Sequence, residues 1–208
     1  MTKTAATSRD NGYFDRMYAR QADPWHFRTS PYERDKYAAT LAALPPRRYG
    51  RALEIGCSIG ELTYLLGQRC ENVLGVDTAS AALRSARRRC DGSGHVRFEK
   101  MHVPSEWPAG PADLVVLSEL LYFLSGDDID AVAAHSRRSL GSDGTILLVN
   151  WLGPTDSPCS GDEAASRFIA TSAELCQVDH RRTAQYRIDV LERKQFFFEK
   201  KNQKTFIR

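Results

Sequence analysis

Glu54, Gly56, Gly60 and Asp77 are the residues of this chain whose types and spacing point most directly to chemistry. The stretch ALEIGCSIGELT (52–63) sets an acid, a glycine, three short or medium residues and a second glycine straight after an apolar run. In an open parallel sheet, ligands settle beyond the carboxyl ends of the strands, near the point where strand order reverses. A first strand ending at Ile55 puts 56–60 at that rim. Gly56 permits a tight turn there, and Gly60 lets the next helix pack closely while leaving main chain near a ligand. The loop reads G-C-S-I-G, so the dinucleotide fingerprint G-x-G-x-x-G does not fit, and the phosphate loop ending in G-K-[S/T] is absent. A pyrophosphate is therefore a poor match. Asp77 closes the second apolar run, 23 residues after Glu54. An acid at that place can accept hydrogen bonds from vicinal ribose hydroxyls. Two acids around a glycine loop suit a nucleoside with a positively charged tail, with Glu54 toward its ammonium. The plainer roles are a buried acid bonded to loop amides for Glu54 and a helix cap before TASAAL for Asp77.

The elements that must position these residues follow from periodicity. Residues 51–55, 72–76, 96–99, 112–117 and 144–151 read as short strands. Residues 60–69, 79–90 and 127–140 read as helices; the last has Asp127 and Asp128 in its first turn, Arg137 and Arg138 near its end and Gly141 beyond. Strands alternating with helices predict an α/β fold with a parallel sheet covered on both faces. Residues 184–193 alternate and read as a late strand, expected as an antiparallel edge. Before the first strand lies a segment rich in aromatics, including Tyr13, Phe14, Tyr18, Trp25, Phe27, Tyr32 and Tyr37, and LPPRRYGR (44–51) marks its junction with the sheet. The expected organisation is an N-terminal helical cap over 1–45 and one domain over 46–208.

Composition excludes several classes. At 208 residues the chain can bury a sizeable core, and 42% hydrophobic content argues against disorder. A net charge of +3 is too small to indicate nucleic acid, and RSARRRC and HRR read as solvated helix faces or turns. The first twelve residues lack the apolar core of a secretory signal, and no run is long enough for a membrane span. Five cysteines without a C-x-x-C pair fit neither a disulfide framework nor a zinc site, so a reduced, cytoplasmic setting without metal is expected.

LEIGCSIG, then GVD, then DLVVLSELLYFL resembles the class I S-adenosylmethionine-dependent methyltransferases. That resemblance implies a Rossmann-like, seven-stranded, mostly parallel sheet with one antiparallel strand and helices on both faces. It also implies adenosine over the second strand and the methionine moiety over the glycine loop. More narrowly, the run from ADPWHFRTSPYERDKY to GELT, with VPSEWP and LLVNWLGPTDSPCSGDEA, is similar to the nodulation protein S family. Those rhizobial N-methyltransferases act on the Nod factor, a chitooligosaccharide. The similarity runs from about Tyr13 to about Lys194. Two positions depart from the class pattern. Ser58 stands where many members have a further glycine, and Met101 and His102 stand where many have an acid for the adenine amine. Met101 offers the adenine ring a soft apolar surface.

The resemblance implies S-adenosylmethionine, leaving as S-adenosylhomocysteine, held by Trp25, Tyr32, Arg34, Glu54, Gly56, Cys57, Ser58, Gly60, Asp77, Thr78, Met101, His102 and Ser118. Arg34 is expected to face the cofactor carboxylate, and the cap to order when cofactor binds. A nitrogen acceptor must arrive uncharged, so a base or a neutral amine is needed. Glu119, at the rim of the fourth strand, is the first candidate to orient or deprotonate that amine, and its plainer role is a carboxylate tied to loop amides or a cation. Tyr122 could donate to the substrate, and His102 could act as base. Asn150 and Trp151 end the fifth strand, where Trp151 could stack on a sugar face. The implied acceptor is the free amine of the non-reducing-end glucosamine of a deacetylated chitooligosaccharide, with a monomer as the default state. Another small amine acceptor, or a protein that binds the cofactor without turnover, remains open.

Overall fold

The computed structural model describes residues 7–194; residues 1–6 of the expected cap and 195–208 of the expected domain lie outside them. Along β4 (Ala112–Ser118), Leu114 and Val116 face one side of a sheet while Val115 and Leu117 face the other, and all four are fully buried. The same two-sided burial runs through β1 (Tyr49–Ile55) and β5 (Leu140–Trp151), the mark of strands covered on both faces. On one side, Leu53, Ile55, Val115, Leu117, Ile146 and Leu148 pack with side chains of α5 (Gly126–Ser139) and α6 (Gly161–Ala170). On the other, Ala52, Leu114, Val116, Leu147 and Val149 pack with the end of α2 (Pro31–Ala43) and with α3 (Glu61–Leu66).

With β2 (Cys70–Asp77), β3 (Val96–Lys100), β6 (Leu175–Arg182) and β7 (Tyr186–Arg193), the sheet has seven strands in the order β3-β2-β1-β4-β5-β7-β6. β7 is antiparallel to both of its neighbours, and the pairings among β1 to β5 are parallel. The expected seven-stranded, mostly parallel α/β fold is thus the observed one. Strand order reverses between β1 and β4, so the ligand rim lies above the ends of β1, β2 and β4.

Two expectations need correction. The late strand is not the sheet's edge: β7 lies between β5 and β6, and its Ile188, Val190 and Leu191 are buried. The edge is β6, whose LCQVDHRR sequence hides a strand because an edge tolerates charge. The stretch LLVNWLGPTDSPCSGDEA, which carries part of the family resemblance, also contains the start of α6, a helix not expected from the sequence. A capping box defines that start: Ser160 Oγ accepts the Glu163 N–H, and the Glu163 carboxylate accepts the Ser160 N–H at 2.8 Å.

The N-terminal segment forms α1 (Asn11–Arg20) and α2. Ser30 caps α2 by accepting the Glu33 N–H, and Pro31 takes the first turn, where its missing donor costs nothing. The cap fixes the phase of the helix, so Glu33, Lys36, Thr40 and Ala43 turn inward. α1 lies beside α4 (Ser80–Arg89), with Tyr18 buried against Ile59, Ala79 and Ala82. Among the described residues, no helix is long and apolar enough to cross a membrane.

Candidate active site

The loop after β1 is shaped by hydrogen bonds to β2. The Gly56 and Cys57 N–H groups both donate to the Val76 carbonyl, at 2.8 and 2.9 Å. Gly56 has φ +82° and Ser58 has φ +53°, so the chain turns back twice within three residues. Asp77 holds the turn: it accepts the Ser58 N–H at 2.8 Å and, through its other oxygen, the Ala79 N–H at 2.8 Å. Asp77 is therefore both a loop organiser and a helix cap. Burial raises its carboxyl against the pull of those amides. The Tyr18 hydroxyl and the Ser58 hydroxyl share a short hydrogen bond, tying α1 to the loop.

A cavity of about 800 Å³ opens above this rim. Glu54 points into it from β1, only 2% exposed, with Oε2 in no hydrogen bond. Burial pushes its carboxyl up to about 8. Thr78 Oγ1 and His102 Nδ1 are 2.6 Å apart on the adjoining wall, and the Met101 N–H donates to the Asp77 carbonyl. Trp25, 37% exposed, closes this side, 5.8 Å from the Tyr18 ring and 5.4 Å from that of Phe27.

The opposite wall centres on Lys36. Its Nζ lies 2.9 Å from Glu119 and 3.0 Å from each Glu33 carboxylate oxygen, with hydrogen-bond geometry to Glu33 Oε1 alone. Opposing charges outweigh the burial of Lys36 and hold its ammonium above the ordinary lysine range. Glu119 also accepts the Tyr122 hydroxyl at 2.6 Å and the Trp151 N–H at 3.1 Å. Burial and the Glu119 charge raise the Tyr122 phenol well above its usual range, so it stays a donor. The Tyr32 ring lies under Lys36, 5.2 Å from its Nζ, and edge-on to Trp151 at 6.0 Å. Among the described residues, the positive-φ residues other than glycine are His26, Ser58 and Glu119; Ser58 and Glu119 line this cavity, and His26 lies between its lining residues Trp25 and Phe27. Left-handed backbone is uncommon for such residues and clusters where a site demands it.

Most of the expected site residues line this one cavity: Trp25, Tyr32, Glu54, Gly56, Cys57, Ser58, Asp77, Thr78, Met101, His102, Ser118, Glu119, Tyr122 and Trp151. Three do not. Arg34 is exposed on the outer face of α2, because it sits a third of a turn beyond Glu33. Asn150 is fully buried beneath the rim, since Trp151 and not Asn150 takes the cavity side of β5. Gly60 serves packing rather than the cavity wall: a Cβ there would stand 2.9 Å from the Cα and Cβ of Ala86 on α4. Glu33 and Lys36 were missed. The signal that finds them is the Ser30-Pro31 cap, which puts residues 33, 36 and 40 on one helical face. Among the described residues, no group of three or more His, Cys, Asp or Glu side chains is disposed to hold a metal.

The strand order, the turned glycine loop and the acid closing β2 together define the class I S-adenosylmethionine-dependent methyltransferase fold. The crystal structure of the N-methyltransferase NodS from Bradyrhizobium japonicum, in complex with S-adenosyl-L-homocysteine, shares that fold. Its TM-score is 0.74 at 21% identity, over 89% of this chain and 100% of that one. The model of nodulation protein S matches residues 11–156, and the chain belongs to the nodulation protein S family. Nodulation protein S of Bradyrhizobium diazoefficiens is 32% identical over 117 residues, 55% of this chain and 53% of that protein. A trans-aconitate 2-methyltransferase of Methylobacterium nodulans is 38% identical over 95 residues, 44% of this chain and 36% of that protein. The chain spans about half the length of the curated nodulation proteins it matches.

Proposed function

We propose that this chain is an S-adenosylmethionine-dependent N-methyltransferase. Its proposed acceptor is the free amine of the non-reducing-end glucosamine of a deacetylated chitooligosaccharide. The observation that carries the reading is charge. Seven acids line the cavity against one lysine and one arginine, with Arg28 and Arg89 pairing one of them, Glu61, from behind, although the chain as a whole is +3. Such a cavity favours a sulfonium and an ammonium and repels a carboxylate. An acceptor of the trans-aconitate kind would meet Glu33 and Glu119, with Lys36 already engaged by both.

The cofactor fits the residues present. Glu54 Oε2, buried without a hydrogen bond, is matched to the ammonium of the methionine moiety. Asp77 uses one amide on each oxygen and keeps lone pairs for ribose hydroxyls. Met101 and Val103 offer apolar surface to adenine, and Trp25 and Tyr18 cover it. When bound, S-adenosylmethionine supplies an electrophilic methyl group, so the protein's task is to align the acceptor nitrogen and exclude water. Glu119, held by three donors, orients that nitrogen, and Trp151 and Tyr32 offer ring surface to the sugar. The cap reading of 1–45 rests on Tyr18, Trp25, Tyr32 and Lys36, which wall the cavity from outside the sheet. Five free cysteines suit the proposed cytoplasmic setting.

The test supplies radiolabelled S-adenosylmethionine with two chitooligosaccharides, one fully acetylated and one deacetylated at its non-reducing end. Label entering only the deacetylated sugar is expected. Label in neither, while S-adenosylhomocysteine still binds by calorimetry, overturns the choice of acceptor.

A further inference from the structure

Glu33 and Glu119 share one lysine, so the acceptor wall keeps one negative charge that nothing on that wall balances. The two acids are not equivalent. Glu119 accepts three hydrogen bonds, one of them from a cation, so both of its oxygens are engaged. Glu33 is 7% exposed and lines the same cavity. Its Oε1 accepts from Lys36; Oε2 lies 3.0 Å from the same ammonium but outside hydrogen-bond geometry, so it is buried and accepts no hydrogen bond. An acceptor ammonium is the group that would satisfy that oxygen and neutralise the cluster.

Resting on the N-methyltransferase reading, we infer that Glu33 takes the proton from the acceptor ammonium at Oε2, with Lys36 and Glu119 as its positioning pair. The balance is simple. An N–H bond breaks, its proton goes to Glu33, and the electron pair remains on nitrogen. That pair forms the bond to the methyl carbon as the carbon–sulfur bond breaks, its electrons staying on sulfur. The product nitrogen carries the positive charge, and Glu33 returns its proton to solvent.

The surroundings suit this work. Burial raises the Glu33 carboxyl, and the negative charges of Glu119 and Asp23 raise it further, while Lys36 on its own helix pulls it down. Tyr32 and Tyr37 from α2, and Tyr122 from beyond β4, are held protonated by burial, so they stay neutral beside it. A carboxyl raised toward the working pH is the better general base.

The test compares wild type with Glu33→Gln and Glu33→Asp, using a glucosamine oligomer with a free non-reducing-end amine. Glu33→Gln is expected to lower kcat about a hundredfold near neutral pH, within the range for a lost general base. The deficit should shrink as pH rises and the amine arrives neutral, Glu33→Asp should recover part of the rate, and S-adenosylhomocysteine affinity should hold. A deficit equal at every pH, or full activity, overturns the inference. Carbon-13 NMR titration of the side-chain carboxyls decides it without turnover: Glu33 should titrate above the ordinary glutamate range, and an ordinary or lowered value overturns the assignment. Wild type inert on the amine, with Glu33 still titrating above the ordinary glutamate range, would instead overturn the proposed acceptor and leave the inference standing.

Discussion

The wall that carries Glu54 and Asp77 and the wall that carries Glu33, Lys36 and Glu119 are built by different means. The first is main chain: strand ends, a loop folded onto the Val76 carbonyl and an aspartate gripping loop amides. Glu54 has no cation beside it and one oxygen in no hydrogen bond, and burial pushes its carboxyl up to about 8 against the pull of Thr63. The second is assembled from side chains of α2, the end of β4 and the end of β5, and its acids are arranged around a lysine. One wall is set by the sheet and awaits a charge; the other is set by ion pairs and already contains one. A buried acid without a cation stores binding energy for one, whereas an acid already paired with a cation is held in a fixed geometry.

Glu54→Gln should strain this contrast hardest. Loss of the cofactor's ammonium partner is expected to weaken S-adenosylhomocysteine about thirtyfold or more, since truncating one side of a buried charge pair costs about 2–5 kcal/mol. Equal affinity by calorimetry would show that the wall is not waiting for a cation. The same acid gives the ligand-free protein a pH signature. Its folded pKa lies above its unfolded value, so its contribution to stability is full below about 4.3 and is lost as pH rises through about 8. Asp77 and Glu33 are shifted the same way, so the difference between wild type and Glu54→Gln in urea melts isolates Glu54. That difference should reach on the order of 5 kcal/mol by pH 9.

On the ion-paired wall, Glu119→Gln should cost about a hundredfold in kcat through lost orientation, with S-adenosylhomocysteine affinity changed less than about twofold. A matching loss of affinity would mean that the two walls act as one. Gly60→Ala attacks the main-chain wall from behind, at φ +81° against Ala86. It should destabilise the protein by about 1–3 kcal/mol in denaturant melts, and an unchanged midpoint would show that α3 can shift. Arg34→Ala should be the mildest change, with stability within about 0.5 kcal/mol of wild type and activity intact, as for an exposed substitution; a lost cofactor affinity would put Arg34 back in the site.

The same contrast explains what the sequence disclosed. The main-chain wall is contiguous and local: an apolar run, a glycine loop and an acid at a fixed spacing. Glu54, Ser58 and Asp77 could be read directly, as could five strands, three of whose apolar runs end at Gly56, Asp77 or Ser118. The ion-paired wall draws on residues 33, 36, 119 and 151, which nothing in linear order connects. Glu119 was visible because it ends an apolar strand. Lys36 and Glu33 were hidden in SPYERDKY, where charge and aromatics alternate and attention falls on Arg34. Helical phase counted from Ser30 turns Arg34 outward. β6 escaped for another reason: an exposed edge carries no apolar alternation to detect.

The two ends of the sheet share a character that bears on how the molecule behaves in a crowd. β3 presents Arg97, Glu99 and Lys100, and β6 presents Asp179, His180, Arg181 and Arg182. A strand at the end of a sheet offers a row of open amides and carbonyls that can recruit another chain. Charges of both signs along that row make stacking a like strand costly, because every added strand would bring the same charges into register. Sheet-to-sheet growth is thereby discouraged at both borders.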